Sequence, residues 1–311
     1  MNVLGTISIP FDPYIFGLGP FLFSWHGFFT VVGVAVAVYL VHRFGTKQGL
    51  SSDAILSIAM WCIIGGIVGA RILHVVDFWN SGGVCGKAFT GYGDCPLTIF
   101  MVWKGGIAIL GAVLGGFAGG SAYIMIRNSD WFLKLWDSCS RVFGKAESIQ
   151  LPRIGSFADL VAPCLLLGMA IGRIGDIING EHFARFTTLP WGVIYTHPDS
   201  PGINRPASHP AVAYELIFDL LIVVVLWFAK DKLRPDGMVF ALALSLYALG
   251  RFFISFLRIE ANTYFGLNEA QIVCLAILIV TVPLLVYKAS LVDDLNLKFN
   301  QGIPIFIDLG L

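Results

Sequence analysis

The sequence predicts an all-α polytopic membrane protein with seven transmembrane helices, its N-terminus outside and its C-terminus in the cytoplasm. Three observations carry this. Of 311 residues, 57% are hydrophobic and 13% charged, whereas soluble domains carry roughly 25% charged residues. Seven apolar segments are long enough to cross a hydrocarbon core of about 30 Å, which takes roughly 20 helical residues. Lys and Arg fall mostly into alternate connections, as the positive-inside rule requires.

The spans are Phe21–Val41, Ala54–Val76, Gly105–Ile126, Phe157–Asn179, Ala211–Phe228, Met238–Leu257 and Ala270–Tyr287. Open strands would leave backbone groups unsatisfied in lipid, so each is read as a helix. Residues 1–311 form a single domain with an outer N-terminal arm, 1–20, and a long outer lid-like loop, 181–210, rich in proline and without helical period. Residues 1–20 contain no Lys or Arg, so the basic start of a cleaved signal peptide is missing and the first span is expected to be retained. The connection 128–153 spaces Trp131, Leu135, Trp136 and Phe143 at helical intervals with Lys134, Asp137 and Lys145 between. It reads as an amphipathic helix on the cytoplasmic surface.

Orientation follows from twelve basic residues on one side: Arg43, Lys47, Arg127, Lys134, Arg141, Lys145, Arg153, Lys230, Lys232, Arg234, Lys288 and Lys298. Four lie on the other, namely Lys87, Lys104, Arg185 and Arg205. The second, fourth and sixth spans therefore run outward, and Arg71, Arg173 and Arg251 all fall in their outer parts. Trp25, His26 and the segment Lys104-Gly105-Gly106 belong to the same level on inward-running spans. A charge at the centre of a spanning helix costs roughly 2.5–3.5 kcal/mol, so charges gathered at one depth mark a site. The densest stretch is Gly168 to Glu181, with Arg173, Asp176, Asn179 and Glu181. Arg173 and Asp176, three apart, share a helical face and can pair. For Arg251 the candidate structural partners are Glu215 and Asp219.

Other features are scaffold. Gly111, Gly115 and Gly119 repeat in the third span, as do Gly65 and Gly69 in the second, a pattern that lets helices approach closely in lipid. Cys62, Cys164 and Cys274 lie within spans and Cys139 on the cytoplasmic side. Cys85 and Cys95 share an outer glycine-rich loop and are expected to form a disulfide. Nothing in the cysteine or histidine spacing points to a metal or a cofactor. The zero formal net charge argues against a nucleic-acid partner.

Gly172-Arg-Ile-Gly-Asp-Ile-Ile-Asn-Gly-Glu181 resembles the signature of bacterial prolipoprotein diacylglyceryl transferases, commonly Gly-Arg-x-Gly-Asn-Phe-x-Asn-x-Glu. Further blocks match in order: Ser24-Trp25-His26-Gly27, Gly69-Ala70-Arg71, Val102 to Gly106, His209-Pro210 with Tyr214-Glu215, and Tyr247-x-x-x-Arg251-Phe252. The resemblance implies transfer of the diacylglyceryl group of phosphatidylglycerol to the lipobox cysteine of a preprolipoprotein signal peptide, in the bacterial cytoplasmic (inner) membrane with the site toward the outer leaflet.

It further implies that Arg173 binds the lipid headgroup and that Arg251 stabilises the transition state or the thiolate. Asn179 and Glu181 orient the arginines, while Asp176, Arg71, Tyr247 and Arg258 complete the substrate site. Tyr247, Arg251, Ser255 and Arg258 are expected on one face of the sixth span. The chain departs from the family pattern at five positions. Leu110 stands where many members have histidine, Asp176 replaces asparagine, His26 replaces tyrosine, Ala184 replaces glycine and Ser255 replaces glutamate. His26 supplies an imidazole at the same depth and is the candidate to serve catalysis in its place. A non-catalytic lipid-binding relative and a lipid or solute transporter are the competing classes.

Overall fold

A computed structural model describes residues 5–18, 21–85, 88–102, 106, 108–138, 148–259 and 263–291. Its helices are α1 (Trp25–Lys47), α2 (Ser52–Asp77), α3 (Ile109–Ile126), α4 (Asp130–Ser138), α5 (Ile154–Asn179), α6 (Ala211–Ala229), α7 (Met238–Ser255) and α8 (Glu269–Lys288). Among the described residues, α1, α2, α5, α6, α7 and α8 are long and apolar enough to cross a membrane, and α3 is a shorter apolar helix. The protein is therefore a mostly helical, multi-pass membrane protein. Exposure runs opposite to that of a soluble domain. Phe228 is 72% exposed and Ile279 72%, while Glu215 is 3% exposed and Asp219 1%. Apolar side chains facing outward around buried charges suit lipid and not water.

The chain packs as two compact units, His42–Ile154 and the remainder. Within the first, α2 and α3 meet along the predicted glycine seam. A Cβ added at Gly65 would lie 2.4 Å from the Gly115 carbonyl oxygen, and one at Gly69 2.4 Å from that of Gly111. Backbone thus touches backbone where any side chain would intrude. Helix α3 begins later than the sequence suggests, because Gly106 has φ +76° and Ala108 is extended. Cys95 is disulfide-bonded; the side chain of Cys85, the partner expected for it, lies outside the described residues. Within 128–153, α4 is helical with Trp131 and Leu135 exposed, and residues 139–147, Cys139 included, fall outside the description.

The second unit holds α5 to α8, most of α1 and the arm. Its core joins Ala162 and Leu166 of α5, Ile222 and Leu226 of α6, and Val239 and Ala243 of α7. Asp159 caps α7 from a neighbouring helix, accepting from the backbone N–H of Gly237 at 2.7 Å and Phe240 at 2.8 Å. Asn268 and Gln271 form a capping box at the start of α8, the motif that satisfies two otherwise unpaired donors. Helix α1 starts four residues after the expected Phe21. Phe21–Ser24 (β3) instead pairs antiparallel with Tyr14–Leu18 (β2), and the Ser24 hydroxyl accepts from the Gly27 N–H at 3.1 Å. An apolar run alone does not distinguish strand from helix.

The N-terminal arm and the loop 181–210 are joined. Ile7–Ile9 (β1) runs parallel to Val193–Tyr195 (β4), and Val193 and Ser208 exchange backbone bonds at 2.9 and 3.1 Å. The loop is thus a folded element held at both ends, though it has no helix.

Candidate active site

Helix α5 supplies the centre. It ends at Gly180, whose φ of +74° is a left-handed stop that favours glycine. The Tyr195 ring packs there, so a Cβ at Gly180 would lie 2.7 Å from it. The Tyr195 hydroxyl donates to the Ile177 carbonyl at 2.9 Å. Burial, with the nearby Asp176 charge, pushes the Tyr195 phenol up to about 12. The loop is thereby fastened to the last turn of α5, where the charged side chains lie.

Asp176 is buried and engaged on both oxygens. Arg173 Nη1 donates to Oδ2 at 3.2 Å, the predicted i, i+3 pair. On the other oxygen, His26 Nδ1 meets Oδ1 in a short contact, and His182 Nε2 stands 3.5 Å away. An ionised carboxylate only accepts, so His26 Nδ1 carries the proton of that bond. His26 reaches Asp176 because α1 and α5 touch through glycine. A Cβ at Gly175 would lie 2.7 Å from the Trp25 carbonyl oxygen, and one at Gly33 2.3 Å from that of Gly168.

Glu215, on α6, is the second hub. Its Oε1 accepts from Arg251 Nη1 at 2.5 Å and from Arg258 Nη1 at 3.1 Å. Its Oε2 lies 2.9 Å from Arg173 Nη2, an ion pair more than an aligned hydrogen bond. Three guanidiniums therefore share one buried carboxylate. Tyr247 stands within electrostatic reach of Arg173, Glu215 and Arg251. One turn further along α6, Asp219 is buried, and its Oδ2 has no hydrogen-bond partner among the described residues.

Arg258 corrects one expectation. Helix α7 ends at Ser255, so Arg258 does not continue its face. It enters the site from an antiparallel bridge with Ala184, flanked by Arg185 N–H to Leu257 O at 2.8 Å and Ile259 N–H to Phe183 O at 3.0 Å. Its Nη2 meets His182 Nδ1 at 2.9 Å. Arg173, Asp176, His182, Arg258 and Glu215 thus form a closed circuit, with His26 and Arg251 attached to its two carboxylates.

The remaining expected residues are placed differently. Glu181 faces His26 at 4.0 Å, so the carboxylates that orient the arginines are Asp176 and Glu215. Asn179 is buried in the last turn of α5. Arg71 belongs to the other unit. There its guanidinium donates to the carbonyls of Ile99 at 2.7 Å, Gly106 at 2.8 Å and Thr98, and lies 5.5 Å over the Tyr92 ring. Residues 103–105 and the Leu110 side chain lie outside the description. Ligand atoms of His26, Asp176 and Glu181 come within 4.8 Å of one another, as do those of Asp12, His197 and Asp199. Arg173 on Asp176 opposes a cation at the first set.

Sequence reasoning named Glu215 only as a structural partner and missed His182 and Gly175. Glu215 was nonetheless visible as one of two acidic residues, with Asp219, in an apolar span, and Gly175 as a small residue inside the charged stretch.

The profile described as prolipoprotein diacylglyceryl transferase matches residues 13–157 and 142–287. The chain is 34% identical, over 90% of its length and 95% of the relative's, to a phosphatidylglycerol–prolipoprotein diacylglyceryl transferase of Dehalococcoides mccartyi. A protein of the same description from Nostoc is 30% identical over 85% of this chain and 84% of its own. One from Staphylococcus aureus is 29% identical over 99% and 96%. With the family matched over nearly its whole length, this membrane-spanning chain belongs to the prolipoprotein diacylglyceryl transferases.

Proposed function

We propose that this transferase moves the diacylglyceryl group of phosphatidylglycerol onto the lipobox cysteine thiol of a membrane-tethered preprolipoprotein. The cysteine sulfur attacks the glyceryl carbon, an S–C bond forms, the C–O bond to phosphate breaks, and glycerol phosphate leaves. The observation that carries this reading is the cluster of Arg173, Arg251 and Arg258 on Glu215, beside the His26–Asp176 pair. Guanidiniums meet phosphate oxygens bidentately and keep their charge at any accessible pH. Charge that grows on the departing phosphate is the charge such a cluster stabilises.

In this scheme Arg173 and Arg258 hold the headgroup phosphate, with Asp176, Asn179, Glu181 and Tyr247 shaping its surroundings. Arg251 faces the reacting centre. His26 takes the thiol proton on Nε2, the nitrogen not turned to Asp176, and Asp176 steadies the imidazolium that results. Lipid and signal peptide enter sideways from the outer leaflet of the bacterial cytoplasmic membrane. In this reading the chain crosses the membrane seven times with its N-terminus outside, and the site lies toward the outer leaflet. Expression in a bacterium lacking its own transferase tests the reading. Restored thioether lipidation of its prolipoproteins supports it, and lipoproteins that stay unmodified despite membrane insertion of the chain refute it.

Two further outcomes are expected. Single cysteines at Asp199, which is exposed in the outer loop, and at Asp231, exposed between α6 and α7, should differ in labelling by an impermeant thiol reagent. Asp199→Cys labels from outside and Asp231→Cys only after permeabilisation; the reverse would overturn the orientation. Gly175→Val should push α1 from α5 and carry His26 off Asp176. The rate should fall on the order of a hundredfold, the cost of misplacing a reacting group by about 1 Å. Initial rates with phosphatidylglycerol micelles measure it.

A further inference from the structure

We propose that His182 is a positioning residue for the transfer, holding Asp176, and through it His26, in register with the arginines. This deepens the function proposed above and rests on it. Arg258 Nη2 lies 2.9 Å from His182 Nδ1. A guanidinium has donors only, so that ring nitrogen is the acceptor, and the neutral imidazole carries its proton on Nε2. Nε2 faces Asp176 Oδ1 at 3.5 Å, the same oxygen that receives His26 Nδ1. The tautomer of a loop histidine is thereby dictated from one side of the site and used on the other.

The loop backbone is built to deliver this ring. The bridge between Ala184 and Arg258, with its two flanking bonds, fixes His182 beside the arginine it accepts from. Without the ring, Asp176 keeps Arg173 on Oδ2 but has only His26 on Oδ1, and Arg258 loses one acceptor. Arg258 also holds Glu215. A headgroup phosphate that draws on Arg258 therefore acts, through His182, on the carboxylate that orients His26. Donor binding and proton acceptance share one circuit of hydrogen bonds and ion pairs.

The test uses the purified full-length protein with phosphatidylglycerol micelles and a lipobox peptide. His182→Phe, His182→Asn, His26→Gln and the double variant His182→Phe with His26→Gln are compared with wild type. His182→Phe should lower kcat by about tenfold to a hundredfold while melting near wild type in detergent, a loss on the transition-state side. His182→Asn, whose side-chain oxygen still accepts from Arg258, should keep the wild-type KM for phosphatidylglycerol but not its kcat. In the His26→Gln background, His182→Phe should cost little more, since both changes act through one imidazole. Wild-type kcat in His182→Phe overturns the proposal, as does a full, additive loss in the double variant. Should the Phe variant fail to fold, the same cycle run with Asn decides. A wild-type protein that makes no thioether would sink the underlying function; active wild type with indifferent His182 variants sinks the positioning role alone.

Discussion

Glu215→Gln is expected to abolish transfer and to weaken the fold together. The carboxylate is 3% exposed and receives Arg173, Arg251 and Arg258. Removing its charge leaves three guanidiniums facing a neutral amide, and stripping one partner from a buried ion pair costs about 3–5 kcal/mol. The arginines would then repel one another, and the phosphate would meet a site of the wrong shape. Thermal unfolding in detergent and initial rates measure the two effects separately. Glu215→Asp keeps the charge but shortens the reach. It should recover part of the stability and little of the rate, because one shorter arm cannot meet arginines that come from α5, α7 and the loop beyond it.

Arg173→Lys and Arg251→Lys should each lower the rate by about a hundredfold or more, since lysine keeps the charge but not the planar fork. Arg173 uses two separate nitrogens to span Asp176 at 3.2 Å and Glu215 at 2.9 Å. One ammonium cannot hold both carboxylates in that geometry, so the closed circuit opens. Glu215 keeps Arg173 and Arg258 when Arg251 is replaced, so unfolding should stay closer to wild type while the rate falls. Complementation of a transferase-deficient strain reads both. Full rescue by Arg251→Lys would remove Arg251 from the reaction.

How far the sequence discloses this site depends on the range of each interaction. Arg173 and Asp176 are three residues apart on one helix, and helical geometry alone pairs them. The glycine seam of α2 and α3 is likewise periodic and was legible. The hub is different: Glu215 lies 36 residues from Arg251 and 43 from Arg258, and no local spacing distinguishes it from a carboxylate with one partner. His182 carries no pattern at all, being a single histidine in a loop without helical period. Arg258 misled because the helical face was extended past Ser255, where the chain turns to pair with Ala184. The arm misled for a related reason, since Phe21–Ser24 is as apolar as the helix it precedes and its strand partner is set by the hairpin.

The most direct measurement follows both products of one turnover. Purified protein is given phosphatidylglycerol labelled in its headgroup phosphate and a lipobox peptide, with Arg251→Lys run alongside. The account predicts one thioether-linked diacylglyceryl peptide for each glycerol phosphate released by wild type, and both products formed about a hundredfold or more slower by a folded Arg251→Lys. Phosphatidylglycerol bound but left intact would identify a lipid-binding relative. Lipid moved between leaflets without a thioether would identify a transporter, and either result would contradict the account.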